Sequence, residues 1–534
     1  MRGEESGEKQ TETGKLPLIR AAAGGALTGL VAALSMTLVM LVLRWLAGVP
    51  TPSEMVGDRL APTFSAGEFL GLLQRFGGYN QLKQLGVSSV LLGQLAAGIL
   101  GGIAFAVIAE LQQRRSPERR RSNTSPQAVS FAVCFVVLFW IGSLASLWSV
   151  LSTSFLGLRQ SYASFATAAG LLLAYATYGW ILIVASQRIT ARRSAGQAGA
   201  GAGRRVFVAG AAAAALTTGL LYRLYCLATF SYDGTQYIGA EVEPITPNDR
   251  FYTVTKNIVD PQVSKTVWRL EIAGMVEQPH VYTFEDLKSL STVNQETTLM
   301  CISNWVGGGL MSNAMWRGVP LRSLIEAAGP KPGSAKVLFR AVDGYTDTIA
   351  LGKAMDPTTL VAFEMNGAPL PERHGFPVRV VVPGMFGEKN VKWVTRIVLV
   401  GEDAKGFYET QGWGPSFVVP TRARFDFPYY DQTIPMASSI LLKGIAFGGD
   451  RGVSKVEVST DGGSTWQETK VDYAGTRLGW TLWSYDWRPA HSGDHKLVVR
   501  AVDSSGEVQT QEERGTVPEG ATGYHRVTLR LSEV

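Results

Sequence analysis

The feature that most constrains this chain is a contrast between its halves: long, almost uncharged apolar runs fill the first, and none occurs in the second. A helix needs about 20 residues to cross a hydrocarbon core of roughly 30 Å. Five runs reach that length, near residues 21–49, 85–111, 128–151, 162–185 and 206–228. They show almost no polar face, which a long helix on the surface of a water-soluble domain would present. The expectation is an α-helical membrane bundle of about five transmembrane helices over residues 21–230, preceded by a cytoplasmic tail at 1–20. At 534 residues the chain also exceeds what a single core fills, so further domains follow.

Basic residues between the runs report orientation, because short loops rich in arginine and lysine stay on the cytoplasmic side. Arg114, Arg115, Arg119, Arg120 and Arg121 separate the second and third runs, and Arg188, Arg192, Arg193, Arg204 and Arg205 separate the fourth and fifth. Arg2, Lys9, Lys15 and Arg20 flank the first run on the same side. Five crossings then put the N-terminus in the cytoplasm and everything after residue 230 outside, on the plasma membrane of a prokaryote. The net charge of +6 owes much to these clusters, so a lipid bilayer, not nucleic acid, is the expected macromolecular surface. The segment Gly203-Arg204-Arg205-Val206-Phe207-Val208 resembles a twin-arginine export signal, although an ordinary membrane anchor also carries paired basic residues at its inner end. All five histidines lie at His280 or later, so no haem is expected between the helices. Arg44, near the end of its run, is expected to snorkel towards water.

From Glu241 onward the pattern becomes short strands and loops. Residues 270–274 and 336–341 read as strands, and 321–328 as a helix ended by Gly329 and Pro330. Beyond 425, β-rich runs at 453–459, 466–471, 480–487 and 495–502, punctuated by turns such as Asp461-Gly462-Gly463, suggest an immunoglobulin-like β-sandwich. His491 and His495 are four apart, but Gly493 between them argues against a helix and for a hairpin surface. Of three cysteines, Cys134 and Cys226 lie in or beside apolar runs, so Cys301 is the one thiol of this half and no disulfide can form within it.

The segment TTLMCISNWVGGGLMSNAMWRGVP, residues 297–320, carries the chemistry. Cys301 ends an apolar strand and enters a loop with Asn304 and three successive glycines, Gly307 to Gly309. Glycines let a backbone approach a bulky group closely. An isolated buried cysteine is usually a small core hydrophobe, whereas a thiolate at such a loop suits a transition metal. Both readings stand on the residues alone. Arg379, set among Phe376, Pro377, Val378 and Val380, needs a buried anionic partner.

This loop, the following Ser312-Asn313-Ala314-Met315-Trp316-Arg317-Gly318-Val319-Pro320-Leu321, the stretch His374-Gly375-Phe376-Pro377-Val378-Arg379 and the later Val391-Lys392-Trp393 resemble the sulfite oxidase family of molybdopterin-dependent oxidoreductases. Pro247-Asn248-Asp249-Arg250-Phe251-Tyr252-Thr253 is similar to the segment that opens the pterin site, and Lys443-Gly444 through Gly449-Asp450-Arg451 to the C-terminal dimerisation domain. The resemblance implies an α+β molybdopterin-binding catalytic domain at 241–424, followed by the sandwich at 425–534. It implies molybdenum-molybdopterin as cofactor, with Cys301 as the protein thiolate on the metal. It places Asn248, Tyr252, Thr253, Asn257, His374, Arg379, Asn390, Val391 and Lys392 around the cofactor, and Tyr345, Lys256 and Arg451 where they could orient substrate. The sequence departs from the sulfite-oxidising pattern after the cysteine, where Asn304, Trp305 and Val306 stand in place of an arginine. The implied activity is oxygen-atom transfer to or from a small oxyanion or sulfur-centred substrate, with electrons exchanged through a separate partner or a quinone system and with homodimer formation through the sandwich. The rival expectation is a membrane-tethered extracellular binding or adhesion protein that holds no metal and whose cysteine loop is structural.

Overall fold

An apolar helix satisfies every backbone polar group internally, so it can form where water is excluded, and the first half of the chain is built from such helices. The computed structural model describes residues 4–76, 79–115, 126–194, 212, 215–216, 218–220, 222–223, 236–257 and 259–533. Its helices are α1 (Glu4–Ala47), α2 (Pro52–Leu60), α3 (Ala66–Phe76), α4 (Tyr79–Arg115), α5 (Pro126–Leu147) and α6 (Gln160–Ser194). Among the described residues, four stretches are long and apolar enough to cross a membrane: Leu18–Ala47, Gln81–Gln112, Ala132–Val150 and Gln160–Gln187. Most of the fifth run, the segment at 203–208 and Cys226 lie outside the described residues. The chain divides into two compact units, one of Met1–Ala61, Gln81–Phe155 and Arg159–Ala228, the other of Pro62–Asn80, Leu156–Leu158 and Thr229–Val534.

Within the first unit small residues bring helices together. Gly25 and Gly29 of α1 meet Gly98 and Gly102 of α4, and a Cβ on Gly102 would run into the Gly25 carbonyl. This is how helices associate where the surroundings are as apolar as the side chains. Polar links cross the same contacts: Gln94 Nε2 donates to Thr37 Oγ1 at 2.7 Å, and the Tyr178 hydroxyl to the Gly98 carbonyl at 2.7 Å. Arg44 departs from the snorkelling expectation. It is 6% exposed, pairs with Glu54 at 3.1 Å and lies 3.5 Å over the Phe155 ring. The cause is local, since the capping box of Thr51 and Glu54 at the start of α2 fixes a carboxylate within its reach.

In the second unit, β1 (Leu270–Gly274), β2 (His280–Tyr282), β5 (Lys336–Ala341), β6 (Thr346–Ala350) and β10 (Val394–Val400) form one sheet in the order β2-β1-β10-β5-β6. Only β1 and β10 run parallel in it. A second sheet joins β3 (Val293–Met300), β4 (Met311–Pro320), β7 (Leu360–Met365) and β8 (Ala368–Pro369), with β9 (Arg379–Val381) added to β7. The helix Leu321–Ala328 buries Leu321, Leu324, Ile325 and Ala328, an i, i+3, i+4, i+7 stripe, and stops at Gly329, whose φ of 67° favours glycine. Its stripe and the first sheet share one core with Trp268, Phe339 and Ile397.

The C-terminal part is a β-sandwich. One sheet orders β11 (Arg422–Phe427), β13 (Ile440–Phe447), β17 (Thr481–Trp487) and β16 (Lys470–Tyr473) as β11-β13-β17-β16. The other orders β12 (Gln432–Pro435), β19 (His525–Ser532), β18 (Gly493–Asp503), β14 (Val453–Ser459) and β15 (Gln467–Glu468) as β12-β19-β18-β14-β15. Phe425, Leu442 and Trp483 pack against Val456, Leu497 and Leu529 between them.

Candidate functional site

The loop that follows β3 begins with Cys301, whose amide bonds the Leu310 carbonyl at 3.0 Å and so closes the loop at its neck. Asn304 fills the interior, accepting the Leu310 amide on Oδ1 at 3.0 Å. Gly307 has φ +83°, and a Cβ there would strike the His525 ring. Two buried arginines of β11 hold the loop from the sandwich side: Arg422 donates to Met300 Sδ at 2.9 Å, and Arg424 to the Gly308 carbonyl at 2.7 Å. Cys301 is 6% exposed and its sulfur stands 2.9 Å from the Ser303 hydroxyl. Burial pushes the thiol up to about 12, the Glu388 charge adds to that, and the Ser303 hydrogen bond opposes it.

Cys301 faces a cavity whose wall includes Tyr252, Thr253, Lys256, Tyr345, His374, Arg379, Asn390, Val391 and Lys392. These are nine of the positions singled out from sequence, brought together from segments far apart in the chain. Gly387 makes the approach possible, since a Cβ on it would lie 2.6 Å from the Tyr252 hydroxyl and 3.5 Å from the Cys301 Cα. Arg379 opens β9 and is 5% exposed; it donates to the His374 carbonyl at 3.1 Å and to the Asn390 carbonyl at 3.0 Å. Its Nε is buried without a partner. Burial pulls this guanidinium down to about 10, and burial, with the Arg379 and Arg373 charges adding to it, pulls Lys392 down to about 8, so both cations are held at a cost that a bound anion would relieve. Lys392 Nζ reaches the Arg373 carbonyl at 3.0 Å. His374 is pushed down to about 3, by burial and then by the Arg379 and Lys392 charges. It is therefore neutral, and its Nε2–H donates to the Asn248 carbonyl at 2.9 Å.

Several expected residues have other employment. Arg451 does not line the cavity, because its Nε is drawn to Asp503 at 2.9 Å and a terminal nitrogen to the Val419 carbonyl at 3.1 Å. Asn248 stands behind the wall, accepting from Asn366 at 2.8 Å, and Asn257 donates to Asp343 at 2.7 Å. Tyr345 lines the cavity, but its hydroxyl proton goes to Asp347 at 2.7 Å. That carboxylate is buried against Lys389 at 2.6 Å. The Asn390 side chain binds backbone, accepting the Val382 amide at 2.7 Å and donating to the Phe386 carbonyl at 2.9 Å.

Among the wall residues that were not anticipated are Glu388, Tyr408 and Trp413. Both Glu388 carboxyl oxygens and the Trp413 indole nitrogen are buried without a hydrogen-bond partner. Burial pushes Glu388 up to about 8; its own amide and that of Ile302 pull the other way, yet neither makes a hydrogen bond of ordinary geometry. A glutamate between Gly387 and Lys389 reads in sequence as a solvated turn residue. Among the described residues no group of three or more histidine, cysteine or acidic side chains is arranged to hold a metal ion. A metal here would therefore rely on Cys301 and on ligands that the protein does not supply, as a pterin dithiolene does. The buried thiol, the unpartnered Arg379 Nε and the close backbone at Gly387 fit such a group.

A family model described as oxidoreductase molybdopterin binding domain matches residues 257–408, and one described as Mo-co oxidoreductase dimerisation domain matches residues 424–532. Mitochondrial sulfite oxidase of Rattus norvegicus is 32% identical over 314 residues, which are 50% of this chain and 57% of the relative. Sulfite oxidase of Arabidopsis thaliana is 30% identical over 353 residues, covering 54% of this chain and 88% of the relative. The solved structure of the sulfane dehydrogenase SoxCD from Paracoccus pantotrophus is 25% identical with a TM-score of 0.49, over 55% of this chain and 85% of that one. The chain thus spans little more than half the length of the mitochondrial relative.

Proposed function

The chain belongs to the sulfite oxidase family of molybdopterin-dependent oxidoreductases, and from that premise we propose that it is a membrane-anchored enzyme transferring an oxygen atom to or from a small sulfur-centred or related substrate. The observation that carries this reading is the cavity in which Cys301 faces Tyr252, Arg379 and Lys392, with the Arg379 Nε left for an anion. When bound, the molybdenum-pterin group supplies the two-electron chemistry. Cys301 ligates the metal as thiolate, so cofactor binding must expel a proton that burial otherwise holds tightly. The Ser303 hydroxyl, 2.9 Å from the sulfur, can donate to that thiolate. Tyr252 and Thr253 border the pterin. Arg379 and Lys392 pair with the phosphate and tail, with neutral His374 and the backbone at Asn390 and Val391 closing that end. Lys256 is assigned to the substrate side. Asn248 and Asn257 act behind the wall, Tyr345 positions Asp347, and Arg451 braces the sandwich.

We read residues 1–20 as a cytoplasmic tail, 21–230 as a five-helix anchor, 241–424 as the catalytic domain and 425–534 as an immunoglobulin-like sandwich. The arginine-rich second-to-third and fourth-to-fifth loops support an extracytoplasmic catalytic domain. The dimerisation-domain match supports a homodimer, and the paired Arg204 and Arg205 support export in the folded state after cofactor insertion. Electrons pass to or from a separate protein or a quinone. The test is turnover of the purified holoenzyme against small sulfur compounds, first with an artificial electron acceptor and then with a reduced dye. Turnover in one direction, abolished in Cys301→Ala, is expected. Fully metallated protein that turns over nothing in either direction would contradict the assignment.

A further inference from the structure

Residues Cys301 to Asn304 form a tight turn, in which the Asn304 amide donates to the Cys301 carbonyl at 3.1 Å with Ile302 and Ser303 between. Both of its ends are pinned. The Cys301 amide donates to the Leu310 carbonyl at 3.0 Å, Asn304 Oδ1 accepts the Leu310 amide at 3.0 Å, and the Asn304 carbonyl accepts from Arg422 at 3.4 Å. So fixed, the turn brings the Ser303 side chain back beside the residue two before it, with the hydroxyl 2.9 Å from the Cys301 sulfur. A serine in a turn ordinarily directs its hydroxyl to nearby backbone. This one meets sulfur instead. Cys301 lines the cavity and Ser303 does not, so the hydroxyl reaches the sulfur without taking the space that a cofactor needs.

We propose that Ser303 is a positioning residue that acts through Cys301: its hydroxyl donates to the ligating thiolate and raises the reduction potential of the metal held there. This rests on the molybdenum-enzyme reading above. A ligating thiolate has no proton to give, so the hydroxyl must be the donor of this pair. The sulfur carries more negative charge when the metal is reduced, because an electron-rich metal draws less density from its ligands. A donor at the sulfur therefore stabilises the reduced state more than the oxidised one. Potentials of metal–sulfur centres are set in part by the hydrogen bonds to their sulfurs, and groups behind the ligands tune the metal through them. Only the difference between the two oxidation states counts, so the expected effect is a part of the whole hydrogen bond, on the order of tenfold in a one-electron equilibrium.

The test is a redox titration of full-length holoenzyme, followed by the molybdenum(V) resonance and by the thiolate-to-molybdenum absorption band. Wild type, Ser303→Ala and Ser303→Thr are compared, each assayed first for molybdenum. Ser303→Ala is expected to shift the one-electron molybdenum(VI)/molybdenum(V) equilibrium about tenfold toward the oxidised side, a potential about 59 mV lower. Its absorption band should move to longer wavelength, because a sulfur without the donor gives up its electrons more readily. Ser303→Thr keeps a hydroxyl and should restore both readouts to near the wild-type values. A metallated Ser303→Ala with wild-type potential and band overturns the proposal. So does a Ser303→Thr displaced as far as Ser303→Ala, which would trace the effect to packing. A folded Ser303→Ala that loses its molybdenum would make the hydroxyl a requirement for holding the metal, and also overturns it. Wild type without molybdenum overturns the enzyme reading itself, a result distinct from these.

Discussion

Gly387 shows how one missing side chain shapes the site. Its Cα faces both the Tyr252 hydroxyl and the Cys301 backbone, and there is no room between them for a methyl group. Gly387→Ala should cost about 1–3 kcal/mol through overpacking and should lower molybdenum occupancy, because the side chain it displaces, Tyr252, lines the cavity. Metal content and a thermal melt on the same sample check this; full occupancy at unchanged stability would contradict it. His525 makes a second prediction at this scale. Its Nδ1 accepts the Phe425 amide at 3.0 Å, which requires a neutral ring, and burial followed by the Arg424 and Arg422 charges pushes it down to about 4. The unfolded chain takes up a proton below about pH 6.5 and the native state resists until about pH 4. Stability is therefore complete above pH 6.5 and falls as pH drops through that window, by about 2 kcal/mol at pH 5. Denaturant unfolding at pH 7 and pH 5 should show that loss, and His525→Asn, which keeps an acceptor but cannot charge, should reduce it.

At the scale of elements, the crossing of α1 and α4 depends on backbone contact. Gly102→Leu would drive a side chain into the Gly25 carbonyl and the Gly29 backbone, and should lower the melting temperature of the detergent-solubilised protein, for a cost of about 1–3 kcal/mol. An unchanged melt would mean that the helices part without loss. Much of this architecture was legible beforehand, for physical reasons. The strands expected at 270–274, 336–341 and 453–459 and the helix at 321–328 form with those limits, since each carries its own periodicity and a terminating turn. The run at 466–471 instead forms two short strands, Gln467–Glu468 and Lys470–Tyr473, which pair with different sheets, and strand partner choice is not encoded in local pattern. Arg44 was misjudged for a related reason: its neutralising carboxylate, Glu54, comes from the next helix.

For the whole molecule, the same distinction separates what the motifs revealed from what they did not. Tyr252, His374, Arg379 and Lys392 were recognisable because their sequence neighbourhoods are distinctive, and the fold gathers them around Cys301. Glu388 and Trp413 carry no such signature, and they join the cavity wall only when segments far apart in the chain come together. Arg451 had a matching motif but a nearer carboxylate, Asp503, and so turns away. The central claim is that the cavity holds molybdenum through Cys301. Elemental analysis of the full-length chain, purified from a host that makes the molybdenum cofactor, tests it most directly. The account predicts molybdenum near one atom per chain in wild type and its loss in a folded Cys301→Ala variant; metal-free wild type, or a Cys301→Ala variant that retains full molybdenum, would contradict it.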